Sequence, residues 1–303
     1  MKILITGSNG LLAQKIISLA IKDKIDIIAT SKGIDRSNNL NISYYRYFSL
    51  DITSEDQVRF AINKFSPDVV INTAAMTNVD LCEEMKEECN KINTNAVGFL
   101  ANACLSINAH LIHISTDFIF DGENGPYSED DSSNPLSYYG FSKLNSEILL
   151  KNHNVKSSIL RTIILFGVGN NLSRNNIILW AKESLEKGQK LSIIDDHYRA
   201  PTFAEDLAAA CLFAAKEKVY GVFNVSGKDI MSIYDMVVSV AEFFNLNTKM
   251  IERSHSSKLN QLAKRPIKTG FVLDKAINDL NYRPHSFLES LEIIKNQLTN
   301  NQI

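Results

Sequence analysis

The sequence predicts an α/β fold in which a doubly wound parallel sheet is covered by helices on both faces. Short apolar segments alternate with longer segments of helical period along the first half of the chain. The short segments are apolar throughout, as strands buried on both faces are. The first of them runs directly into a glycine-rich turn, which is typical of the strand-to-helix junction of a Rossmann-type fold.

Each element of the first half follows from its local pattern. Ser54 is placed to cap a helix, because a serine oxygen accepts hydrogen bonds from the free amides of a first helical turn. The predicted strands are Lys2–Thr6, Ile25–Thr30, Tyr45–Leu50, Val69–Asn72, Leu111–Ser115 and Ser158–Arg161. The predicted helices are Leu11–Lys22, Ser54–Phe65, Lys91–Asn108 and Lys143–Lys151.

The second half has a looser pattern, from which we predict a smaller, interleaved C-terminal substrate lobe. We expect residues 1–166 to form the dinucleotide-binding domain, rejoined by about residues 201–226. About residues 167–200 and 227–303 then form the substrate-binding lobe. The predicted elements are the helices Ile177–Lys187, Glu205–Lys216, Ser232–Phe244 and Phe287–Leu298 and the strand Gly221–Val225.

The composition narrows the class of protein. The 303 residues include 32 Lys and Arg against 34 Asp and Glu, a net charge of −2 that argues against a general nucleic-acid binder. We see no membrane-spanning apolar run and no signal peptide. The cysteines are too few and too scattered for a disulfide framework, so we expect a reducing, cytoplasmic location. They are Cys82, Cys89, Cys104 and Cys211.

The turn Gly7–Ala13 has the spacing G-x-x-G-x-x-A. Glycine permits a tight turn and lets a pyrophosphate approach the backbone, and the following helix offers free N–H groups to that anion. Any tight strand-to-helix turn favours glycine, but the position after the first strand favours a dinucleotide site. The expected cofactor contacts are Gly7, Asn9, Gly10, Leu11 and Leu12.

The end of the second strand bears on the choice of cofactor. An acidic residue there would bind the ribose diol and repel a 2′-phosphate. This strand instead ends Thr30-Ser31-Lys32, with no acidic residue before Asp35. Ser31 and Lys32 can hold a phosphate, although Lys32 also fits a solvated loop. The sequence favours NADPH and leaves NADH open.

Tyr139 and Lys143 are spaced to share one face of a helix. An ammonium near a phenol lowers the pKa of the phenol from about 10, which makes Tyr139 a proton donor to a carbonyl near neutral pH. Thr116, at the end of a strand, would add a hydrogen bond to the same oxygen. Tyr-x-x-x-Lys alone is common on solvated helices, but here it accompanies the glycine turn and the strand-end hydroxyl.

Five segments share their motifs with one enzyme family. They are Ile5–Ala13, Ile71–Asp80, Ser115–Gly122, Ser137–Lys143 and Asp196–Thr202. Through them the chain resembles the extended short-chain dehydrogenase/reductases, and within that superfamily it is most similar to the dTDP-4-dehydrorhamnose reductases. The resemblance implies a Rossmann-type domain and NAD(P)H-dependent reduction of a nucleotide-linked 4-keto sugar.

The resemblance also implies roles for individual residues. The catalytic positions fall on Thr116, Tyr139 and Lys143. The implied cofactor contacts beyond the glycine turn are Asp51, Ile52, Ala74, Ala75, Asn93, Tyr139 and Lys143. The implied substrate contacts are Thr116, Asp117, Phe118, Tyr139, Arg199 and Arg265. A bidentate guanidinium suits a diphosphate, although a surface salt bridge is an equal explanation of Arg265.

Departures from the family pattern leave the sugar open. Phe118 stands where the family usually has Tyr, and Arg161-Thr162 is not followed by the usual Trp. Tyr198-Arg199-Ala200 replaces smaller residues in a loop that borders the substrate pocket of such enzymes. These differences do not touch the hydride chemistry.

The sequence thus predicts an oxidoreductase that binds a small nucleotide sugar, with no metal, nucleic acid or membrane partner. The most specific substrate implied is dTDP-4-dehydrorhamnose, which would be reduced to dTDP-rhamnose. Two other functions stay open: an NAD-dependent sugar-nucleotide epimerase or dehydratase, and a regulatory subunit resembling the beta subunit of methionine adenosyltransferase. Because similar proteins are often dimers, a homodimer is the expected assembly.

Overall fold

A parallel sheet of seven strands forms the centre of the computed structural model, which describes residues 1–37, 42–173 and 175–299. The strands are β1 Lys2–Thr6, β2 Asp26–Ser31, β3 Tyr45–Ser49, β4 Val69–Asn72, β5 His110–Thr116, β6 Ser157–Thr162 and β11 Gly221–Asn224. Their spatial order is β11-β6-β5-β4-β1-β2-β3, and every neighbouring pair is parallel. The predicted doubly wound α/β class is confirmed, with the order reversing beside β1 as in Rossmann folds.

Helices cover both faces of this sheet. They are α1 Leu11–Lys22, α2 Glu55–Phe65, α3 Val79–Glu84, α4 Lys86–Asn90, α5 Ala96–Ser106, α6 Tyr138–Lys151 and α8 Ala204–Glu217. The helices α1 and α8 share one buried apolar cluster with the strands, while α2 and α5 belong to another. Because β11 and α8 return to the sheet, the chain after residue 200 contributes to the first domain as well.

The remaining elements build a second core. They are β7 Leu165–Phe166, α7 Ile177–Glu186, β8 Leu191–Ile194, β9 Tyr198–Arg199, β10 Thr202–Phe203, β12 Met231–Ser232, α9 Ile233–Phe243, β13 Ile251–Ser254, α10 Asp274–Asp279 and α11 Phe287–Thr299. Apolar side chains of α7, α9 and α11 pack together there. The helix α10 departs from the predicted lobe, because Ala276 and Leu280 are buried in the core of the large sheet.

Local signals explain where several elements begin. The Ser54 hydroxyl accepts from the Gln57 amide, as predicted. Helix α6 begins at Tyr138, because Ser137 caps it by accepting from the Gly140 amide. It therefore includes both Tyr139 and the stretch Lys143–Lys151 that was predicted to continue a helix. The single helix predicted from Lys91 contains a π-helical turn, Lys91–Asn95, before α5. Among the described residues, no helix combines the length and the apolar character needed to cross a bilayer.

Candidate active site

The turn after β1 is a tight cradle at the carboxyl end of the sheet. Gly7 has φ +68°, and a Cβ on it would lie 2.9 Å from the backbone nitrogen of Ala74. The Gly10 amide donates to the Gly7 carbonyl at 2.8 Å, and the Ser8 amide donates to the Thr30 carbonyl at 2.9 Å. Only glycine fits at position 7, because both the space and the backbone conformation exclude a side chain.

This cradle leaves hydrogen-bond donors for an anion. Gly10 is the N-cap of α1 and supplies no side-chain cap, so the amides of Leu11 and Leu12 in the first helical turn lack a capping acceptor. The hydroxyl oxygen of Ser8 is buried without a partner among the described residues. Free amides and a helix N-terminus fit a dinucleotide pyrophosphate.

Asn9 and Ser31 are joined at the edge of the cradle. The Asn9 amide nitrogen donates to the Ser31 hydroxyl at 2.7 Å and to the Ile34 carbonyl at 2.9 Å. The Ser31 hydroxyl also lies 2.9 Å from the Tyr47 phenol oxygen. The structure therefore brings together the first two strand ends, where the adenosine half of a dinucleotide lies in this fold.

Lys32 forms an ion pair with Asp51. Its Nζ lies 2.9 Å from Oδ2 of Asp51, and the lysine side chain is 82% exposed. Hydrogen bonds from Lys32 and Thr53 hold the pKa of Asp51 below its ordinary value, and the pair raises the pKa of Lys32. Lys32 and Asp51, which were predicted to contact different parts of the nucleotide, therefore lie side by side. Ile52, which follows Asp51 in the sequence, is buried.

The loop after β4 passes close to the cradle. Ala74 and Ala75 are half-buried there, and the Ala74 backbone closes over Gly7. Asn93 fixes this loop from the π-helical turn: its Oδ1 accepts from the Met76 amide at 2.9 Å, and its Nδ2 donates to the Met76 carbonyl at 3.0 Å. The same Nδ2 donates to the Ser142 hydroxyl of α6 at 3.0 Å. Asn93 therefore ties the loop to the helix that carries Tyr139 and Lys143.

The Tyr139 phenol lies near the Thr116 side chain, which lowers the pKa of that phenol. The Thr116 hydroxyl itself donates to the Asp117 carboxylate at 3.2 Å. The Tyr139 ring packs edge-on against Phe118, with 5.6 Å between ring centroids. A Cβ on Gly140 would collide with the Phe118 carbonyl oxygen, so the small residue lets α6 approach the end of β5. The predicted acid and its strand-end hydroxyl are brought together.

The charge state of Tyr139 differs from the sequence-based expectation. Burial raises the pKa of the Tyr139 phenol, and the neighbouring Thr116 side chain offsets only part of that rise. The expected lowering by Lys143 is absent because the lysine itself is buried and turned toward β5. Burial lowers the pKa of Lys143 to about 7, against the opposing effects of Glu147 and Cys89. Tyr139 is therefore a protonated phenol at neutral pH.

Lys143 contacts a buried histidine that the sequence argument passed over. Its Nζ lies 2.9 Å from Nε2 of His113 and donates to the Ile114 carbonyl at 2.6 Å. His113 also contacts Asn72 and Ser146. The available signal was a polar side chain in the middle of an apolar strand, three residues before Thr116.

Asp117 and Arg199 face each other in the protein interior. The Arg199 Nε lies 3.6 Å from Oδ2 of Asp117, and each side chain is 3% exposed. Thr269 donates to the same carboxylate at 2.5 Å. Burial raises the pKa of Asp117, while Arg199 counteracts that rise. Arg199 also donates to the carbonyls of Pro266 and Ile267, so this guanidinium joins segments of the protein.

Arg265 is held by Asp80. Its two terminal nitrogens lie 2.7 and 3.2 Å from the two carboxylate oxygens of Asp80. The arginine also donates to the Ala263 carbonyl at 2.9 Å. The pair lowers the pKa of Asp80. The salt bridge that competed with a diphosphate contact in the sequence argument is therefore present, at a partly exposed position.

Across the described ranges, no group of three or more His, Cys, Asp or Glu side chains is arranged to hold an ion.

Comparison with known proteins identifies one family and several relatives. The sequence profile described as the RmlD substrate binding domain matches residues 1–300. A dTDP-4-dehydrorhamnose reductase of Aggregatibacter actinomycetemcomitans is 29% identical, over 97% of this chain and 98% of its own length. Methionine adenosyltransferase 2 subunit beta of Danio rerio is 29% identical, over 88% of this chain and 80% of its own length.

A solved structure resembles the whole chain. It is a dTDP-4-dehydrorhamnose reductase of Clostridium acetobutylicum, which is 33% identical and superposes with a TM-score of 0.86. The match covers 99% of this chain and 100% of that chain.

Proposed function

The chain belongs to the RmlD substrate-binding domain family, and from that premise we propose that it reduces a nucleotide-linked 4-keto sugar with NADPH. Membership confirms the resemblance inferred from the five sequence segments and makes the protein an NAD(P)-dependent oxidoreductase. The substrate we favour is dTDP-4-dehydrorhamnose, with dTDP-rhamnose as the product. The observation that carries the proposal is that Tyr139 packs on Phe118, two residues after Thr116, at the same carboxyl edge of the sheet as the Gly7 cradle.

The residues of the chain supply proton transfer and orientation. When bound, NADPH supplies a hydride to the keto carbon. Tyr139 gives its phenolic proton to the carbonyl oxygen, and its raised pKa keeps that proton available at neutral pH. Thr116 donates to the same oxygen and orients it. Lys143, one helical turn from Tyr139, stabilises the phenolate that is left.

Two features support NADPH over NADH. The residues at the end of β2, Thr30, Ser31 and Lys32, do not include the acidic residue that would bind a ribose diol, and the nearby Asp51 carboxylate is paired with Lys32. Lys32 stands at that end with an exposed ammonium, and Ser31 lies beside it with a hydroxyl. A 2′-phosphate would accept hydrogen bonds from both side chains, because it prefers cationic and hydroxyl donors.

The substrate contacts follow from the same arrangement. Phe118 lies against Tyr139 and offers an apolar edge to the sugar. The Arg265 guanidinium is held by Asp80 in a bidentate pair. Arg265 would release Asp80 and bind the substrate diphosphate with the same two-pronged geometry. Arg199 acts through Asp117, because its own guanidinium is enclosed.

The test is oxidation of NADPH and NADH with a panel of nucleotide 4-keto sugars, beginning with dTDP-4-dehydrorhamnose. We expect turnover with at least one keto sugar and a loss of at least about 100-fold in Tyr139→Phe, the scale of one general acid. Tyr138→Phe is the matched control, because the neighbouring ring packs on Phe141 instead. No oxidation with any member of the panel would refute the proposal.

A second candidate is a regulatory subunit. The Danio rerio relative is a subunit of methionine adenosyltransferase, and the match spans most of both chains. Co-elution of this chain with a methionine adenosyltransferase, without turnover of any keto sugar, would favour that function. Conversion of a sugar nucleotide without net consumption of added cofactor would instead favour an epimerase or dehydratase.

We also propose that the protein is cytoplasmic and forms homodimers. Its four cysteines are free and buried, as expected of a protein from a reducing compartment. Light scattering coupled to size-exclusion chromatography would measure the assembly.

A further inference from the structure

His113 lies at the centre of a buried hydrogen-bond network behind Lys143. Its side chain is 1% exposed on β5. Its Nε2 lies 2.9 Å from Lys143 Nζ and 3.0 Å from the Ser146 hydroxyl oxygen. Its Nδ1 lies 3.1 Å from Nδ2 of Asn72. Because a neutral imidazole carries one N–H and one lone pair, these neighbours decide which nitrogen is protonated.

Ser146 requires the proton on Nε2. The hydroxyl of Ser146 donates its single proton to the Lys143 carbonyl oxygen at 2.6 Å. Toward His113 the hydroxyl can therefore only accept, so Nε2 must be the donor.

Asn72 gives the same answer from the other side of the ring. Its Oδ1 accepts from the Thr6 hydroxyl at 2.5 Å, which leaves its amide nitrogen facing Nδ1 of His113. An amide nitrogen only donates, so Nδ1 is the acceptor. Two neighbours on different elements thus require one tautomer.

This tautomer has a consequence for Lys143. Its Nζ donates to the Ile114 carbonyl and also meets the Nε2–H of His113. An ammonium has no lone pair and would set one donor against another, whereas a neutral amine accepts the bond. We propose that His113 is a positioning residue whose one Nε2 proton is shared between the Ser146 oxygen and the Lys143 amine, and that it holds this amine uncharged in the resting protein. The inference rests on the proposed function in taking Lys143 as catalytic.

The other charged groups near Lys143 do not remove this effect. Glu147 and Cys89 both favour the ammonium, but burial outweighs them and lowers the pKa of Lys143 to about 7. Glu147 is itself bonded to Arg161 and to the Ser115 hydroxyl. Burial and the neighbouring lysine hold the pKa of His113 well below its ordinary value. The hydrogen bond with Cys82 lowers the pKa of the Cys89 thiol to about 7 as well, so the Nζ resonance is what assigns a titration to Lys143.

The charge of Lys143 should then limit turnover. An amine must take up a proton before it can stabilise the Tyr139 phenolate, so reduction is expected to fall as pH rises through about 7. In His113→Gln, the amide can turn its oxygen toward Nζ and accept from the ammonium. Lys143 then keeps its proton to higher pH, and the pH at which turnover falls moves upward.

Nuclear magnetic resonance tests the inference on the protein alone. With isotope-labelled histidine, two-bond couplings report which ring nitrogen of His113 is protonated, and His113→Gln assigns the signal by its loss. With labelled lysine, the Nζ resonance reports the charge of Lys143 against pH. We expect an Nε2–H tautomer and, in His113→Gln, an upward shift of about one pH unit in the Lys143 titration.

His110→Gln is the matched control. His110 is a second buried histidine on β5, but it lies on the opposite face of the strand and bonds to Ser158 at 2.6 Å. The His110→Gln substitution should leave the pH at which Lys143 titrates unchanged. If His113→Gln does not fold, the ring-nitrogen couplings of His113 and the Lys143 titration in the unaltered protein still test the inference.

An Nδ1–H tautomer in the resting protein would overturn the inference, as would a Lys143 titration that stays unchanged in the folded variant. The two proposals fail separately. Lack of turnover with every keto sugar refutes the reductase, whereas the tautomer and the Lys143 titration are read without substrate. In an active enzyme, the pH at which kcat falls should shift together with the pH at which the Lys143 Nζ resonance titrates.

Discussion

Arg161 and Glu147 form an ion pair in the interior between β6 and α6. The closest atoms, Nη2 and Oε2, lie 2.8 Å apart, and the side chains are 1% and 0% exposed. The Arg161 Nε adds bonds of 3.0 and 3.2 Å to the two carboxylate oxygens. The Ser115 hydroxyl donates to the same carboxylate at 2.6 Å. The pair therefore ties the strand end that carries Thr116 to the helix that carries Lys143.

Breaking this pair from one side should destabilise the protein. Arg161→Met leaves the Glu147 carboxylate buried and uncompensated, so we expect a loss of about 3–5 kcal/mol in the free energy of unfolding. Urea denaturation measures it. The double variant Arg161→Met/Glu147→Met should recover much of the loss, because it removes both charges. A single variant with unchanged stability would contradict this account.

The sequence predicted the strands of the sheet better than it predicted the contacts of the site. The strand Val69–Asn72 begins with three buried apolar residues and was placed correctly, because burial on both faces leaves a strong signal. The His113 network was missed, because it depends on the register that sets Asn72 beside His113 across two strands. The Lys32–Asp51 pair likewise joins residues that are remote in sequence. Contacts of this kind follow from tertiary structure, which local pattern does not encode.

Gly7→Ala should weaken cofactor binding by more than its effect on the stability of the fold would explain. The added Cβ would meet the Ala74 backbone at 2.9 Å and deform the cradle. Gly33→Ala is the matched control: its φ of +89° imposes a similar strain, roughly 1–2 kcal/mol, but nothing lies within 4 Å of the new Cβ. Titration of NADPH fluorescence should show at least tenfold weaker binding for Gly7→Ala alone. Equal losses in both variants would assign the effect to backbone strain.

Lys32→Ala should weaken NADPH without weakening NADH. The exposed ammonium is paired with Asp51, and of the cofactor it would contact the 2′-phosphate, so we expect about a tenfold rise in the Kd of NADPH, the worth of one charge-assisted contact. Lys22→Ala, at the far end of α1, controls for the loss of a surface charge. Isothermal titration with both cofactors measures the difference. A parallel loss for NADPH and NADH would show that Lys32 does not read the phosphate.

Asp80→Asn should remove a pH-dependent contribution to stability. Because Arg265 lowers the pKa of Asp80 in the folded protein, the stabilisation is fully present above the ordinary aspartate value of about 4 and disappears as pH falls through the lower folded value. The pair is partly exposed, so we expect a difference of about 1 kcal/mol from the wild type at pH 7. Urea denaturation from pH 3 to 8 should show a constant difference above about pH 5 that shrinks in acid. A difference that stays constant down to pH 3 would mean that Arg265 does not act through the Asp80 carboxylate.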